Sequence, residues 1–144
     1  MNVYMEHANI HVGDVDGLVD FLQKAFPSFK VRHDSGRDDV QRWVHLGDDN
    51  TYLSIYRATA SALEPWTPYS GRPGINHIGF VVDDVDDLRR RLLAAGYTET
   101  TVPNEHPARK RVYFNDPEGN DWEFVEYTTD DTSRRNDYSL DEQQ

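Results

Sequence analysis

The chain has 144 residues, and acidic side chains outnumber basic ones 26 to 15, so its formal net charge is -11. This charge argues against nucleic acid as a partner, because affinity for nucleic acid comes mainly from clustered Lys and Arg. No apolar stretch is long enough to cross a membrane. The absence of cysteine excludes disulfides, thiolate nucleophiles and Cys-ligated metal sites, and with an N-terminus that lacks an export signal it favours a cytoplasmic protein.

The first half of the chain predicts a strand, a helix and three further strands. Apolar and polar residues alternate over 6–12, which predicts a strand with one apolar face. Asp14 is placed to cap a helix over about 15–26, and Pro27 helps to end it. Three short strands are then expected, near 29–34, 41–47 and 51–57. A stretch rich in Pro and Gly, residues 58–74, suits a linker.

The second half predicts the same order of elements. A strand over 75–82 precedes a helix that Asp84 can cap and that Gly96 ends. Three strands are expected after it, near 97–102, 110–115 and 121–128, and then a polar tail over 129–144. The predicted fold class is therefore α+β, with two βαβββ modules in tandem that form a curved cleft of mixed sheets. The modules cover about 5–57 and 75–128 of a single domain, residues 1–128.

An internal repeat supports this division into two modules. Residues 7–22 (HANIHVGDVDGLVDFL) and 77–92 (HIGFVVDDVDDLRRRL) share seven identities in sixteen positions at an offset of 70. A second match, at an offset of 69, sets residues 53–55 (LSI) over 122–124 (WEF). Unrelated segments the length of the first match would share about one identity, so internal duplication is the better explanation.

Alternation gives each strand a second, polar face that is rich in residues able to bind a small molecule. The residues on that face are His7, Asn9, His11, Trp43, His45, Tyr52, Ser54, Tyr56, His77, Arg111, Tyr113 and Glu123. Such a collection of imidazole, aromatic and charged groups is typical of the lining of a cleft. Within it, Trp43, Tyr52 and Tyr56 are candidates for a stacking surface, and Arg111 for holding an anionic group of the substrate.

Three of these residues form a candidate metal site. His7 and His77 occupy matching positions of the two opening strands, and Glu123 points to the same side of the closing strand of the second half. Two imidazoles and one carboxylate that converge on a point form a facial triad, with coordination positions left open for substrate, water or dioxygen. The sequence predicts one divalent metal, which could be Fe, Mn, Ni or Zn.

The chain resembles the vicinal oxygen chelate superfamily, which includes glyoxalase I, manganese-dependent fosfomycin-resistance enzymes, extradiol ring-cleaving dioxygenases and bleomycin-resistance proteins. The matching pieces are residues 7–12 (HANIHV), 74–82 (GINHIGFVV) and 113–123 (YFNDPEGNDWE), and the order of elements extends the resemblance over about 1–128. In that superfamily the ligands come from the first and last strand of each module. The resemblance therefore implies ligand positions at His7, Ser54, His77 and Glu123. It also implies a homodimer, often with ligands from both subunits.

Ser54 departs from the pattern of glyoxalase I, whose four-ligand metal site has Glu or Gln at that position. The remaining ligand set is closer to the fosfomycin enzymes and the extradiol dioxygenases. Both also carry a Tyr ten positions before the Glu, as Tyr113 stands here. The resemblance thus implies a catalytic contact for Tyr113. Asn9, His11, His45 and Ser54 remain candidates for lining the substrate pocket.

Three functions stay open at this point. The first is a metal-dependent enzyme acting on a small oxygen-rich substrate chelated to the metal, by glyoxalase-like lyase or isomerase chemistry or by ring-cleaving oxygenation. The second is a metal-independent protein that binds and sequesters an aromatic or cationic compound, as bleomycin-resistance proteins do. The third is a dimeric accessory domain in which the candidate ligands are a relic.

Overall fold

A computed structural model describes residues 3–59, 67–103, 105–135 and 137 of the chain. The chain divides into two compact units, Met1–Pro65 and Trp66–Gln144. The predicted linker 58–74 and the predicted tail 129–144 lie partly outside the described residues. Within the described part of the chain, none of the helices has the length and the apolar run that a membrane crossing needs.

The first unit has the predicted βαβββ order. Its elements are β1 (His7–Val12), α1 (Val15–Ala25), β2 (Lys30–Asp34), β3 (Trp43–Gly47) and β4 (Tyr52–Arg57). They form a four-stranded sheet in the order β1-β4-β3-β2. β1 runs parallel to β4, and the other neighbours are antiparallel. A parallel pair needs a crossover connection, which α1 and the two intervening strands provide.

The second unit repeats this topology. Its elements are β5 (His77–Val81), α2 (Val85–Ala94), β6 (Thr98–Glu99), β7 (Arg109–Asn115), β8 (Asp121–Tyr127) and the short α3 (Thr132–Arg135). The sheet order is β5-β8-β7-β6, with β5 parallel to β8. The predicted α+β class with two tandem modules is therefore confirmed, and α3 is an addition that the sequence did not predict.

Both long helices begin at the predicted aspartate and bury their apolar stripe against their own sheet. The Asp14 carboxylate accepts a hydrogen bond from the Gly17 amide at 2.9 Å, and that of Asp84 accepts one from the Asp87 amide at 2.8 Å. The most deeply buried large side chains are Leu18, Phe21, Leu22, Val44, Leu46 and Ile55 in the first unit, and Val85, Leu88, Leu92, Phe114 and Phe124 in the second. One face of β3, β4, β7 and β8 is thereby buried in a core, and the opposite face of these strands is left for a site.

β6 is much shorter than the predicted strand over 97–102, and a side chain explains the difference. Beyond Glu99, the Tyr113 amide donates to the Thr101 hydroxyl at 2.9 Å instead of to a backbone carbonyl. A hydroxyl that takes the place of the carbonyl ends the ladder at that point. The alternation of residue types could not reveal this exchange, because Thr is itself a good strand residue.

A buried guanidinium fastens α1 to the sheet of the first unit. The Arg42 side chain is only 5% exposed; it donates to Asp34 through Nε at 3.0 Å and Nη2 at 2.8 Å, and to Asp16 of α1 at 3.0 Å. These hydrogen bonds hold the pKa of Asp34 down at about 2, compared with its ordinary 3.8, and lower the pKa of Asp16 as well.

Arg42→Met is expected to lower the free energy of unfolding by about 2 kcal/mol at pH 7, since two carboxylates lose a charged donor. Because the carboxyl pKa values are depressed in the folded state, this contribution is complete above about pH 4 and disappears as the pH falls through about 2. Urea unfolding of both proteins at several pH values checks it. Lys110→Met, which breaks the exposed pair with Asp86, is the control and should have little effect. A deficit that stayed constant down to pH 2 would contradict the account.

Candidate functional site

The two sheets carry equivalent positions on their polar faces. In the first sheet, Asn9 of β1 is the register partner of Ser54 of β4. In the second sheet, Gly79 of β5 is the register partner of Glu123 of β8. Ser54 and Glu123, which the offset of 69 aligns in sequence, therefore occupy the same place in the two ladders. His7 and His77 likewise stand two residues before Asn9 and Gly79, as the duplication predicts.

The second unit brings four of the predicted site residues together. His77 Nε2 lies 3.2 Å from Glu123 Oε2, and Arg111 Nη1 lies 3.9 Å from Glu123 Oε1. The Tyr113 hydroxyl hydrogen-bonds to Glu123, and its ring meets the His77 imidazole edge to face, with centroids 5.5 Å apart. Three neighbouring strands thus place an imidazole, a phenol and a guanidinium around one carboxylate that is only 15% exposed.

Tyr113 is held as a proton donor by its surroundings. Burial raises the pKa of its phenol above the ordinary value of 10, and the hydrogen bond to Glu123 and the charge of that carboxylate raise it further. A phenol with a raised pKa stays protonated throughout the neutral range. Tyr113 can therefore donate a hydrogen bond to a developing negative charge on an oxygen atom.

Gly79 leaves the space that the Glu123 carboxylate uses. A Cβ atom at position 79 would lie 3.2 Å from Glu123 Oε2, which is closer than side chains normally pack. In the first sheet this place is filled by Asn9, whose Nδ2 donates to the buried Ser54 Oγ at 3.4 Å. The duplicated strands have therefore diverged: the second sheet is built to carry a carboxylate, and the first to carry a small hydroxyl under an amide.

His7 of the first unit is oriented by the residue that precedes it. Its Nδ1 lies 2.8 Å from Glu6 Oε2, and its ring stacks on Tyr52 with centroids 4.9 Å apart. An imidazole that donates its Nδ1 proton to a carboxylate keeps its lone pair on Nε2. That nitrogen is suited to bind a metal.

The polar face of the first sheet is a continuous surface of rings, named here the ring surface. One row crosses all four strands, with centroid distances of 4.2, 6.1 and 5.6 Å along His33, Trp43, Tyr56 and His11. A second row has distances of 4.6 and 4.9 Å along His45, Tyr52 and His7, and the Arg32 guanidinium lies 4.6 Å from the Tyr52 centroid. The structure thus places every residue predicted for this face on a shared surface with Asn9 and Ser54.

His45 stays neutral within the ring surface. Burial lowers its pKa below the ordinary 6.5, and the nearby His33, Arg32 and His7 lower it further. A neutral imidazole offers one donor and one acceptor nitrogen. His45 can therefore hydrogen-bond to a ligand in the neutral pH range without adding charge.

Sequence reasoning missed His33, which belongs to the ring surface. A register shift between Val31 and His33 brings His33 opposite His45, while Val31 pairs with Leu46 of the buried face. Simple alternation would have kept Val31 and His33 on one side. A bulge of this kind leaves no mark in a single sequence.

Tyr69, Asp121 and Thr100 were also missed; Tyr69 contacts the other side of the His77 imidazole, and Asp121 links Tyr69 to Thr100. The Tyr69 hydroxyl lies 2.9 Å from His77 Nδ1 and donates to Asp121 Oδ2 at 2.9 Å, and Thr100 donates to Asp121 Oδ1 at 2.8 Å. Partial burial of its phenol and the hydrogen bond to Asp121 raise the pKa of Tyr69 to about 12. Alternation from Glu123 could have found Asp121, whereas Tyr69 lies in the predicted linker and has no periodic signal.

The chemistry of the second unit fits a divalent cation. An imidazole nitrogen and a carboxylate oxygen face each other at 3.2 Å, with a further partner on each group that fixes its orientation. His7 is the residue at the equivalent position of the first sheet. Within the described part of the chain, no three His, Asp or Glu side chains are gathered as a metal cluster.

Comparison with known protein sequences adds two findings. The model of the Glyoxalase/Bleomycin resistance protein/Dioxygenase superfamily matches residues 4–124. Biphenyl-2,3-diol 1,2-dioxygenase 2 of Rhodococcus globerulus is 36% identical over 88 residues, which cover 60% of this chain and 44% of that protein. The match thus spans less than half of the relative's length.

Solved structures of similar fold include a glyoxylase/bleomycin resistance protein/dioxygenase domain from Frankia sp. EAN1pec, with a TM-score of 0.71 at 19% identity, covering 93% of this chain and 97% of that one. The fosfomycin resistance protein FosX of Listeria monocytogenes, complexed with Mn(II) and sulfate, has a TM-score of 0.67 at 20% identity, covering 94% of this chain and 98% of that one. At these identities the likeness concerns the fold.

Proposed function

The chain belongs to the Glyoxalase/Bleomycin resistance protein/Dioxygenase superfamily, and on that premise we propose that it is a metal-dependent enzyme acting on a small, oxygen-rich molecule. The single observation that carries the proposal is the pair formed by His77 Nε2 and Glu123 Oε2 at 3.2 Å, with Tyr113 hydrogen-bonded to the same carboxylate. His7, His77 and Glu123 would hold one divalent metal, Fe, Mn, Ni or Zn. A metal so bound supplies Lewis acidity toward two adjacent oxygen atoms of the substrate.

The protein groups around this position would orient and stabilise the substrate. Tyr113 stays protonated and can donate a hydrogen bond to a substrate oxygen as negative charge develops on it. The guanidinium of Arg111, 13% exposed, supplies positive charge for an anionic group of the substrate. The ring surface would contact an aromatic part of the substrate through its rings and its imidazole and hydroxyl tips.

An aromatic diol is the substrate class that combines these features, since it has two adjacent oxygens and a planar ring. Two reaction types are compatible with the site: glyoxalase-like lyase or isomerase chemistry and ring-cleaving oxygenation. The ring surface and the identity to a biphenyl-diol dioxygenase support ring cleavage over the lyase. The diol in the name of that relative is therefore the probe for the test.

The proposal is tested by measuring dioxygen uptake with biphenyl-2,3-diol as the probe. The protein is prepared without a polyhistidine tag and loaded anaerobically with Fe(II), and the reaction is started with dissolved dioxygen. Uptake that requires Fe(II) and stops with a chelator is the expected result. Turnover of the diol without dioxygen would contradict ring cleavage, and an absence of metal binding would contradict the enzyme proposal as a whole.

A second candidate is a metal-independent binding protein of the bleomycin-resistance type, and the ring surface is the observation that favours it. Such a protein would bind a planar aromatic compound with the same Kd in the presence of a chelator. Trp43 provides the readout, because ligand contact with the ring surface changes its fluorescence. Chelator-insensitive binding without any turnover would replace the enzyme proposal with this one.

The proposal also includes a homodimer in the cytoplasm with a small molecule as its partner. Light scattering of the metal-loaded protein measures the oligomeric state. A monomer that still binds the metal would contradict a site shared between subunits.

A further inference from the structure

We infer that Tyr69 is a positioning residue that selects the tautomer of His77, so that the Nε2 lone pair is directed at the metal position. The inference rests on the proposed function for its purpose, but it makes a claim about the metal-free protein. It concerns four side chains of the second unit: Tyr69, His77, Asp121 and Thr100.

For a neutral imidazole the contacts favour one arrangement of protons, because the other tautomer would leave one of the two 2.9 Å contacts of the Tyr69 hydroxyl without a hydrogen. Asp121 is buried, and its two carboxylate oxygens accept hydrogen bonds from Tyr69 at 2.9 Å and from Thr100 at 2.8 Å. The Tyr69 hydroxyl has a single hydrogen, which is used toward Asp121. Its oxygen, 2.9 Å from His77 Nδ1, must therefore accept the imidazole proton.

A neutral His77 with its proton on Nδ1 has its lone pair on Nε2. That lone pair faces Glu123 Oε2 at 3.2 Å, where the carboxylate offers only acceptors. Two acceptors at this distance repel each other unless a cation lies between or beside them. Without Tyr69 the proton would move to Nε2 and bond to Glu123, which would close the metal position. The hydroxyl thus keeps the imidazole ready for the metal.

The backbone of Tyr69 supports a specific role over a merely structural one. Its φ angle is +59°, and it is the only residue other than glycine with a positive φ in the described part of the chain. The conformation is fixed by a hydrogen bond from the Tyr69 amide to Asn76 Oδ1 at 2.9 Å. A residue with a bulky side chain is costly in this region, by about 1–3 kcal/mol, and such strain often occurs at functional sites. Here it brings the hydroxyl to the imidazole.

The test is the tautomer of His77 in protein labelled with ¹⁵N-histidine, free of metal, at about pH 9, where an ordinary imidazole is neutral. Long-range ¹H–¹⁵N spectra distinguish the two tautomers, and a His77→Gln variant assigns the signals. We expect the Nδ1–H form in the unsubstituted protein and the Nε2–H form in Tyr69→Phe. Thr100→Val is the matched control, because it removes the other hydroxyl on Asp121 without touching the imidazole, and it should keep the Nδ1–H form.

The affinity for Zn(II) alone provides a second readout, and Tyr69→Phe should reduce it about 10–100-fold. An Nε2–H form or an imidazolium in the unsubstituted protein, or an unchanged tautomer in Tyr69→Phe, would overturn the inference. The inference about Tyr69 and the proposed function can be refuted separately. A protein that binds Zn(II) with an unchanged tautomer in Tyr69→Phe refutes only the inference. Expected tautomers without any metal binding would leave the role of Tyr69 in place and refute the proposed enzyme.

Discussion

Glu123→Gln is expected to lower the affinity for divalent metal more than about 100-fold, a larger loss than removal of a supporting contact produces. Turnover should fall by at least as much, because a Lewis-acidic metal stabilises the charge of the transition state by several kcal/mol. Each loss of about 1.4 kcal/mol in that stabilisation lowers the rate tenfold. The amide has the shape of the carboxylate but lacks its charge. Its nitrogen can donate to His77 Nε2 and so occupy the lone pair that the metal needs. Isothermal titration with Mn(II) or Zn(II) measures the affinity.

The matched control is Glu99→Gln, which makes the same substitution in the same unit. Glu99 pairs with Arg89 through hydrogen bonds of 3.0 Å, so its carboxylate is bound to a guanidinium instead of to the His77 imidazole. Metal affinity should be unchanged in that variant. Equal affinities in the Glu123 variant and the unsubstituted protein would remove the carboxylate from the ligand set.

Asp116→Ala is expected to lower the free energy of unfolding by about 3 kcal/mol, because one buried carboxylate organises the whole turn between β7 and β8. Its oxygens accept from the amides of Glu118 and Asn120 at 2.9 and 3.0 Å, from the Asn120 side chain at 2.9 Å, and from the Trp122 indole at 3.1 Å. Trp122 is 2% exposed, so its N–H would be left without a partner inside the core. Denaturant unfolding measures the loss.

The substitution Asp116→Asn separates hydrogen bonding from packing. The Asn side chain has nearly the same volume as that of Asp. Its NH₂ group, however, would face N–H donors that bond to a carboxylate oxygen in the unsubstituted protein, so Asp116→Asn should also lower the free energy of unfolding. Asp49→Ala, in the exposed turn between β3 and β4, is the control and should have little effect. A fully stable Asp116→Asn would show that shape alone matters at this position.

The turn is also linked to the site through the sequence. Trp122 directly precedes Glu123 on β8, and its side chain enters the core while that of Glu123 points to the polar face. A disturbed turn should therefore weaken metal binding as well as the fold. The loss of metal affinity in Asp116→Ala should nevertheless be smaller than in Glu123→Gln when both are studied well below their unfolding temperatures, because Asp116→Ala keeps the Glu123 carboxylate.

Much of the fold could be predicted from the sequence because the strongest patterns are local or duplicated. Asp14 and Asp84 mark the starts of both long helices, and the hydrogen bonds that make them caps depend on residues three positions away. The repeat places His7 and His77 on equivalent strands, and the register of β4 and β8 confirms the alignment of Ser54 with Glu123. Helix caps and strand alternation are set within one element, and the repeat relates the elements of one half to those of the other.

The parts that could not be predicted depend on contacts between distant segments. Tyr69 reaches the His77 imidazole and Asp121, which is 52 positions along the chain, from a stretch that has no helical or strand period. His33 joins the ring surface only because of a bulge, and β6 ends early because Thr101 takes the place of a backbone acceptor. Each of these features depends on tertiary contacts, and the pattern of residue types along the chain does not reveal such contacts.

The metal position is tested most directly by an anomalous-scattering map from crystals grown with Mn(II) or Zn(II). We predict one peak within about 2.0–2.2 Å of His7 Nε2, His77 Nε2 and a Glu123 oxygen. A peak at other residues, or metal-loaded crystals without a peak at these three side chains, would contradict the proposed site.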